Sequence, residues 1–118
     1  FLSSSNQINS DLSYKWVVLT IKYGTTQAWN QLLIRKFGHI CILAGVLVVP
    51  ANVVAWERHQ VFTFPDGYIP AANINCVLMS NNNNACRFMT DASKAEIVFP
   101  ANQTAEQDIW FNVAYIAM

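Results

Sequence analysis

Charged and aromatic side chains crowd together at one place in this chain. Residues 56–60 read WERHQ, an indole, an acid, a guanidinium, an imidazole and an amide in five consecutive positions. The whole chain holds only seven basic and seven acidic residues among 118. Sugar sites combine an aromatic plate for the C–H face of a ring with charged or amide groups that bond its hydroxyls. Trp56, Glu57, Arg58 and His59 are therefore candidate ligand-binding residues. The same residue types also fit a core Trp followed by a wet edge strand. Trp29, set among Thr, Gln and Asn, is a further candidate from a loop, and packing against a neighbouring subunit would explain it equally well. Asp91 and Arg87 flank a turn rich in asparagine, and Asp91 is the last candidate. His39 follows Gly38 and reads as an exposed turn residue. The run of asparagines at 81–84 offers many donors and acceptors, and is also simply a permissive turn.

Catalytic chemistry is poorly supplied. A glycosidase needs two carboxylates converging on one bond. A pair such as Glu57 and Asp91 is conceivable, but most of the acids fall in turns or at strand starts, where capping and solubility explain them. No phosphate-binding Gly loop, nucleophile elbow or metal-ligand spacing is present. A non-enzymatic protein is expected, with no catalytic residue, no metal site and no cofactor. The balanced charge lacks the basic stripe of a nucleic-acid binder. The longest apolar stretch, residues 40–49, is about half of the ~20 residues a spanning helix needs, so no membrane insertion is expected.

The elements that carry these residues read as all-β. Strands are expected over residues 14–23, 31–37, 39–49, 56–64, 73–79, 85–90, 94–99 and 108–116. Gly and Pro, the Asn run and short Asp- or Ser-containing connectors separate them. About eight short, evenly spaced strands with no helical period indicate an antiparallel β-sandwich of jelly-roll type. Residues 1–13 lack strand alternation. Phe1, Ser5, Ile8 and Leu12 carry a heptad-like spacing that fits the end of a coiled-coil neck, and a linker fits as well. The division expected is a neck or linker over 1–13 and a head domain over 14–118, with a longer parent chain ahead of Phe1.

The three cysteines lack metal spacing. A turn at 81–84 would make facing residues sum to 165, placing Cys76 and Cys86 on opposite sheet faces where they cannot bridge. Buried free thiols made in a reducing compartment are expected. Residues 102–104 match a glycosylation sequon, a weak signal with no other sign of secretion.

The strands are too apolar for a solitary domain. An isolated sheet needs one wet face, with apolar and polar residues alternating. In residues 108–118 one face carries Ile109, Phe111, Val113, Tyr115 and Ala117. The other carries Trp110, Asn112, Ala114, Ile116 and Met118. Hydrophobic residues make up 53% of the chain, so part of the exposed surface is greasy and asks for cover. The terminal strand is expected to be central, paired on both sides.

Two segments resemble a known family. Residues 33–46, LIRKFGHICILAGV, form a basic-hydrophobic strand, a Gly hairpin and an alternating strand ending in Gly. Residues 62–70, FTFPDGYIP, are followed by a strand, a polar hairpin and a hydrophobic terminal strand. Together they resemble the C-terminal heads of bacteriophage tail-tip, baseplate and tail-fibre proteins. There a Leu-Pro-x-Gly-Tyr-Arg-Pro-like turn is common; here Phe64 stands for the Leu and Ile69 for the Arg, so contacts made by that Arg are not carried over. The resemblance implies a β-sandwich head, homotrimeric, binding bacterial cell-wall or surface saccharide, joined to other tail or baseplate proteins. It also implies a place in the virion after synthesis in the host cytoplasm. A purely structural trimerising cap, or a trimeric jelly-roll module with a protein partner, are the competing readings.

Overall fold

The computed structural model describes residues 16–118, and the expected neck over 1–13 lies outside the described residues. Eight strands are present: β1 (Val17–Val18), β2 (Leu33–Phe37), β3 (Ile40–Val49), β4 (His59–Thr63), β5 (Asn75–Met79), β6 (Ala85–Asp91), β7 (Lys94–Val98) and β8 (Gln107–Ile116). They form two antiparallel four-stranded sheets, ordered β1-β2-β3-β8 and β4-β7-β6-β5. β3 pairs with β8, and their chain neighbours β4 and β7 pair in the other sheet. One antiparallel pair thus passes from sheet to sheet, the wrapping of a jelly roll.

The core lies between the sheets. Cys41, Leu43, Leu47 and Val49 of β3 point inward with Ile109, Phe111 and Val113 of β8. They meet Phe62 of β4, Phe88 of β6 and Ile97 of β7. Aromatic rings run across the layer: Phe62 meets Phe64 at 5.0 Å and Phe88 meets Phe111 edge-on at 5.3 Å between centroids. Phe64 meets Tyr115 at 5.5 Å. Such edge-to-face contacts add roughly 0.5–1.5 kcal/mol each beyond area burial.

Four expectations are corrected. Residues 14–23 were expected to form one strand, but among the described residues only Val17–Val18 is laddered. Thereafter Leu19 N–H donates to Leu32 O and Lys22 N–H to Val61 O, so the chain crosses from one sheet to the other. An apolar alternation fits that crossing as well as a ladder, because both sheets share one core. Residues 56–58 fall outside β4, because Trp56 has a φ of 64°, which an extended strand excludes. β8 is an edge strand, not a central one. Its outer rim carries isolated bridges near its two ends, Ser80 to Ile109 and Pro70 to Ala117. Its apolarity comes from two differently used faces rather than from two ladders.

The fourth correction is one of register. Cys76 faces Phe88 and Cys86 faces Leu78, a sum of 164, so the connecting loop spans residues 80–84. Ser80 sets it: its Oγ accepts from the N–H groups of Asn82 and Asn84, at 3.1 Å each. Asn83 takes the left-handed conformation (φ 62°) that asparagine tolerates. A slip of one residue turns every side chain over. Cys76 and Cys86 therefore share the inward side, unlike the opposite faces expected, and both are free thiols.

The asparagine turn and its neighbours hold the loops together. Asn84 Nδ2 donates to Gln107 Oε1, and Gln107 Nε2 donates to Gln103 Oε1. Gln103 Nε2 closes the chain on Ala101 O. Gln107 is buried, so this relay removes the penalty of an unpaired amide. The phage-like turn at 65–70 is also a fastener. Lys36 Nζ donates to Gly67 O at 2.6 Å, and Tyr115 O–H donates to Tyr68 O at 2.6 Å.

Gly45 (φ 132°) lies where a Cβ would come within 2.2 Å of Gln31 O. Gly45→Ala is expected to lower unfolding free energy by about 3 kcal/mol or more, read from urea denaturation. Burial pushes the Cys86 thiol up to about 12 from an ordinary 9.0. In that window the folded chain holds a proton the unfolded chain has lost, so stability falls as pH rises from 9 towards 12. Cys86→Ala should flatten that alkaline slope, and native Cys86 should resist alkylation at pH 8 until the chain is denatured.

Candidate functional site

Two loops meet beside the β4-β7-β6-β5 sheet. Val53 and Gln103 form an isolated bridge, and Ala55 N–H donates to Asn102 Oδ1 at 2.7 Å. Trp56 N–H donates to Phe99 O at 2.8 Å. These bonds hold Trp56 in a left-handed backbone conformation that costs a bulky residue on the order of 1–3 kcal/mol. Despite that anchoring the residue is 63% exposed. A core Trp would be the reverse, hidden and relaxed. The sequon asparagine is accordingly spent on loop closure.

Below Trp56 lies a hollow of about 110 Å³, lined by Val77, Ala85, Arg87, Val98 and Pro100 with Cys86 behind. The register explains its walls, since Arg87 lies between Val77 on β5 and Val98 on β7. Alternation turns Arg87 away from the core while Cys86 and Phe88 enter it. Val98 is also on the outward side yet is buried, sharing this hollow with Trp56 and Pro100.

The rest of the WERHQ segment turns to its own partners. Arg58 pairs with Glu96 at 3.9 Å, and its largely exposed guanidinium makes this a weak contact. His59 opens β4 and stacks on Tyr23, with centroids 4.0 Å apart and planes 12° apart. Glu57 Oε1 lies 3.4 Å from His59 Nε2. Burial and then the Glu57 charge raise the pKa of Tyr23. Trp56 to His59 thus form one continuous corner. Asp91 does not join it: it pairs with Lys94 at one end of β7, whereas His59 faces Ile97 near the other. Glu57 and Asp91 belong to opposite ends of that strand. Trp29 stands apart as well, 77% exposed on a tight turn closed by Asn30 N–H to Gln27 O.

Val77 and Pro100 were not singled out by the sequence, and Arg87 was weighed only beside Asp91 as a flank of the asparagine turn. Their adjacency depends on the β5–β6 register, and the expected turn was one residue short of revealing it. Among the described residues no cluster of three His, Cys, Asp or Glu side chains could hold a metal ion.

The opposite sheet presents a different surface. Its outward positions are Val18 on β1, Leu33, Arg35 and Phe37 on β2, and Ile40, Ile42 and Ala44 on β3. Trp110, Asn112, Ala114 and Ile116 continue it on β8. Trp110 and Ile116 are each more than half exposed, and Ile40 is 50% exposed. Arg35 lies over the rings of Trp16 and Phe37, at 5.3 and 5.0 Å, and so covers aromatic surface.

No family model and no curated protein matches this chain. Solved structures do. The head domain of lactococcal phage bIL170, from a study of the receptor-binding domains of lactococcal phages, is 18% identical with a TM-score of 0.72. The match covers 90% of this chain and all of that one. The receptor-binding protein of Listeria phage PSA is 16% identical with a TM-score of 0.75, over 99% of this chain and 73% of that one. The chain therefore has the β-sandwich fold of these phage heads.

Asn102→Ala should lower stability by about 0.5–1.5 kcal/mol, the worth of one hydrogen bond, in chemical denaturation. Backbone amide exchange should rise at Ala55 and Trp56 while β6 and β8 stay protected.

Proposed function

We propose that this chain is the receptor-binding head of a phage tail tip or fibre, attaching to a host cell-surface saccharide as a homotrimer. The fold shared with two phage receptor-binding heads over nearly the whole chain carries this reading. The two sheets divide the work. The outer face of β1-β2-β3-β8 is apolar and packs against sister chains around a three-fold axis, where closure leaves no sticky surface to propagate. Obligate interfaces of this kind commonly bury more than ~2,000 Å². The outer face of β4-β7-β6-β5 carries Arg87, Lys94 and Glu96 and stays in water beside Trp56. Residues 1–13 would lead to the neck, and residues 14–118 form the head.

Binding to the cell surface needs recognition without turnover. Each copy offers one shallow site, and three sites per head raise the avidity through effective concentration. The other tail proteins attach through the neck side, and the assembled protein is a virion component made in the host cytoplasm. No cofactor enters this scheme.

Light scattering should give about three times the 13.3 kDa chain mass, unchanged on dilution to micromolar concentration. Trp110→Glu, which places charge on the apolar face, should yield monomer or aggregate. A monodisperse wild-type monomer would overturn the trimer. The wild-type chain should bind isolated lactococcal or listerial cell walls and lose binding when wall polysaccharide is stripped. A stable trimer that binds no cell wall would favour the structural cap.

A further inference from the structure

The hollow under Trp56 has a feature that general saccharide binding does not require. Arg87 makes no ion pair and no side-chain hydrogen bond among the described residues, and its cross-strand neighbours are Val77 and Val98. A guanidinium presents five donors and no acceptor. Arg58, by contrast, already has Glu96. Glu96 is the acid diagonal to Arg87 on the same sheet face and is engaged by Arg58, so among the described residues the cationic head of Arg87 stands at an apolar hollow without an ion pair of its own. The hollow is roomy, since one water needs only ~10–15 Å³ and about 110 Å³ is present.

Three observations converge on one kind of occupant. Trp56 is a large exposed ring whose backbone is fixed before any ligand arrives, so little ordering entropy is lost on stacking. Val77, Val98 and Pro100 give apolar walls that suit C–H surface and repel a bare ion. Arg87 supplies the charge, in the planar fork that matches a carboxylate or a phosphate.

We infer that this hollow binds an acidic sugar residue, with the ring face on Trp56 and its carboxylate or phosphate on Arg87. This rests on the receptor-binding reading above and narrows its ligand to an anionic glycan. Trp56 and Val77 give contact area, and Arg87 selects acid over neutral sugar. Glu57 and His59 do not line the hollow; they pair with each other, and His59 turns to Tyr23.

The test is an NMR titration of the full-length ¹⁵N-labelled chain with methyl glucuronide, glucose 6-phosphate and neutral methyl glucoside. Both acidic probes, or one of them, should shift the Trp56 indole N–H and the Arg87 Nε–H, and the neutral probe should bind about tenfold more weakly. Comparing the two acids tells carboxylate from phosphate. Arg87→Gln should bring acid and neutral sugars to equal affinity, and Trp56→Ala should weaken all three; unchanged amide spectra elsewhere verify folding. Equal binding of acid and neutral probes to wild type, or an acid preference that survives Arg87→Gln, overturns the inference. Binding of the wild-type chain to cell walls in that event would still uphold the receptor-binding reading. Acid-selective shifts without any cell-wall binding would do the opposite, keeping the site and removing that reading.

Discussion

The β3–β8 ladder organises the rest of the molecule. Ten consecutive residues of each strand pair without interruption, from Ile40–Ile116 to Val49–Gln107. On the inner side that ladder supplies Leu43, Leu47, Ile109 and Phe111 to the core. On the outer side it presents Ile40, Ile42, Trp110 and Ile116. The inner face closes through sheet-to-sheet packing, while the outer face stays apolar and exposed, the kind of surface that marks an interface.

The same ladder forces the opposite sheet to be the watery one. Once both faces of β3 and β8 are apolar, the sparse charges collect elsewhere. Arg87, Asp91, Lys94 and Glu96 all lie on β6 and β7 and, apart from half-covered Glu96, are exposed. The proposed recognition of a hydrated ligand is assigned to this side for that reason. The clamp between residues 53–56 and 99–103 brings Trp56 over those strands and adds the aromatic surface that they lack. The contrast between the two outer faces follows from charge scarcity as much as from fold.

The polar side chains that look most available are mostly spent on architecture. Ser80, Asn81 and Asn84 fix the β5–β6 loop and tie it to the start of β8. Asn102 holds the Trp56 loop. Lys36 and Tyr115 bind the turn that carries the phage-like FPDGYIP segment. The turn follows β4 and is bonded to β2 and β8, so it fastens one sheet to the other. Arg87 is different, since among the described residues its side chain has no hydrogen bond or ion pair.

Local chemistry in the sequence was enough for the all-β class, the Gly38 hairpin, most strand positions and the surplus of apolar surface. Strand alternation, Gly and Pro are short-range signals, and each can be read from neighbouring residues. The WERHQ corner was visible for the same reason: its residues are consecutive. Three matters were decided only by the tertiary structure. The β5–β6 register depends on how Ser80 closes its loop, and a single residue of slip moved the cysteines from opposite faces to one. The edge position of β8 depends on which strands reach it, and its composition reads the same at an edge or a centre. The meeting of Trp56 with Arg87 joins residues 31 positions apart through the β6–β7 pairing and a loop clamp. Long-range pairing of that kind leaves no local trace, because a side chain's type says what it can bond and not what the fold will bring to it.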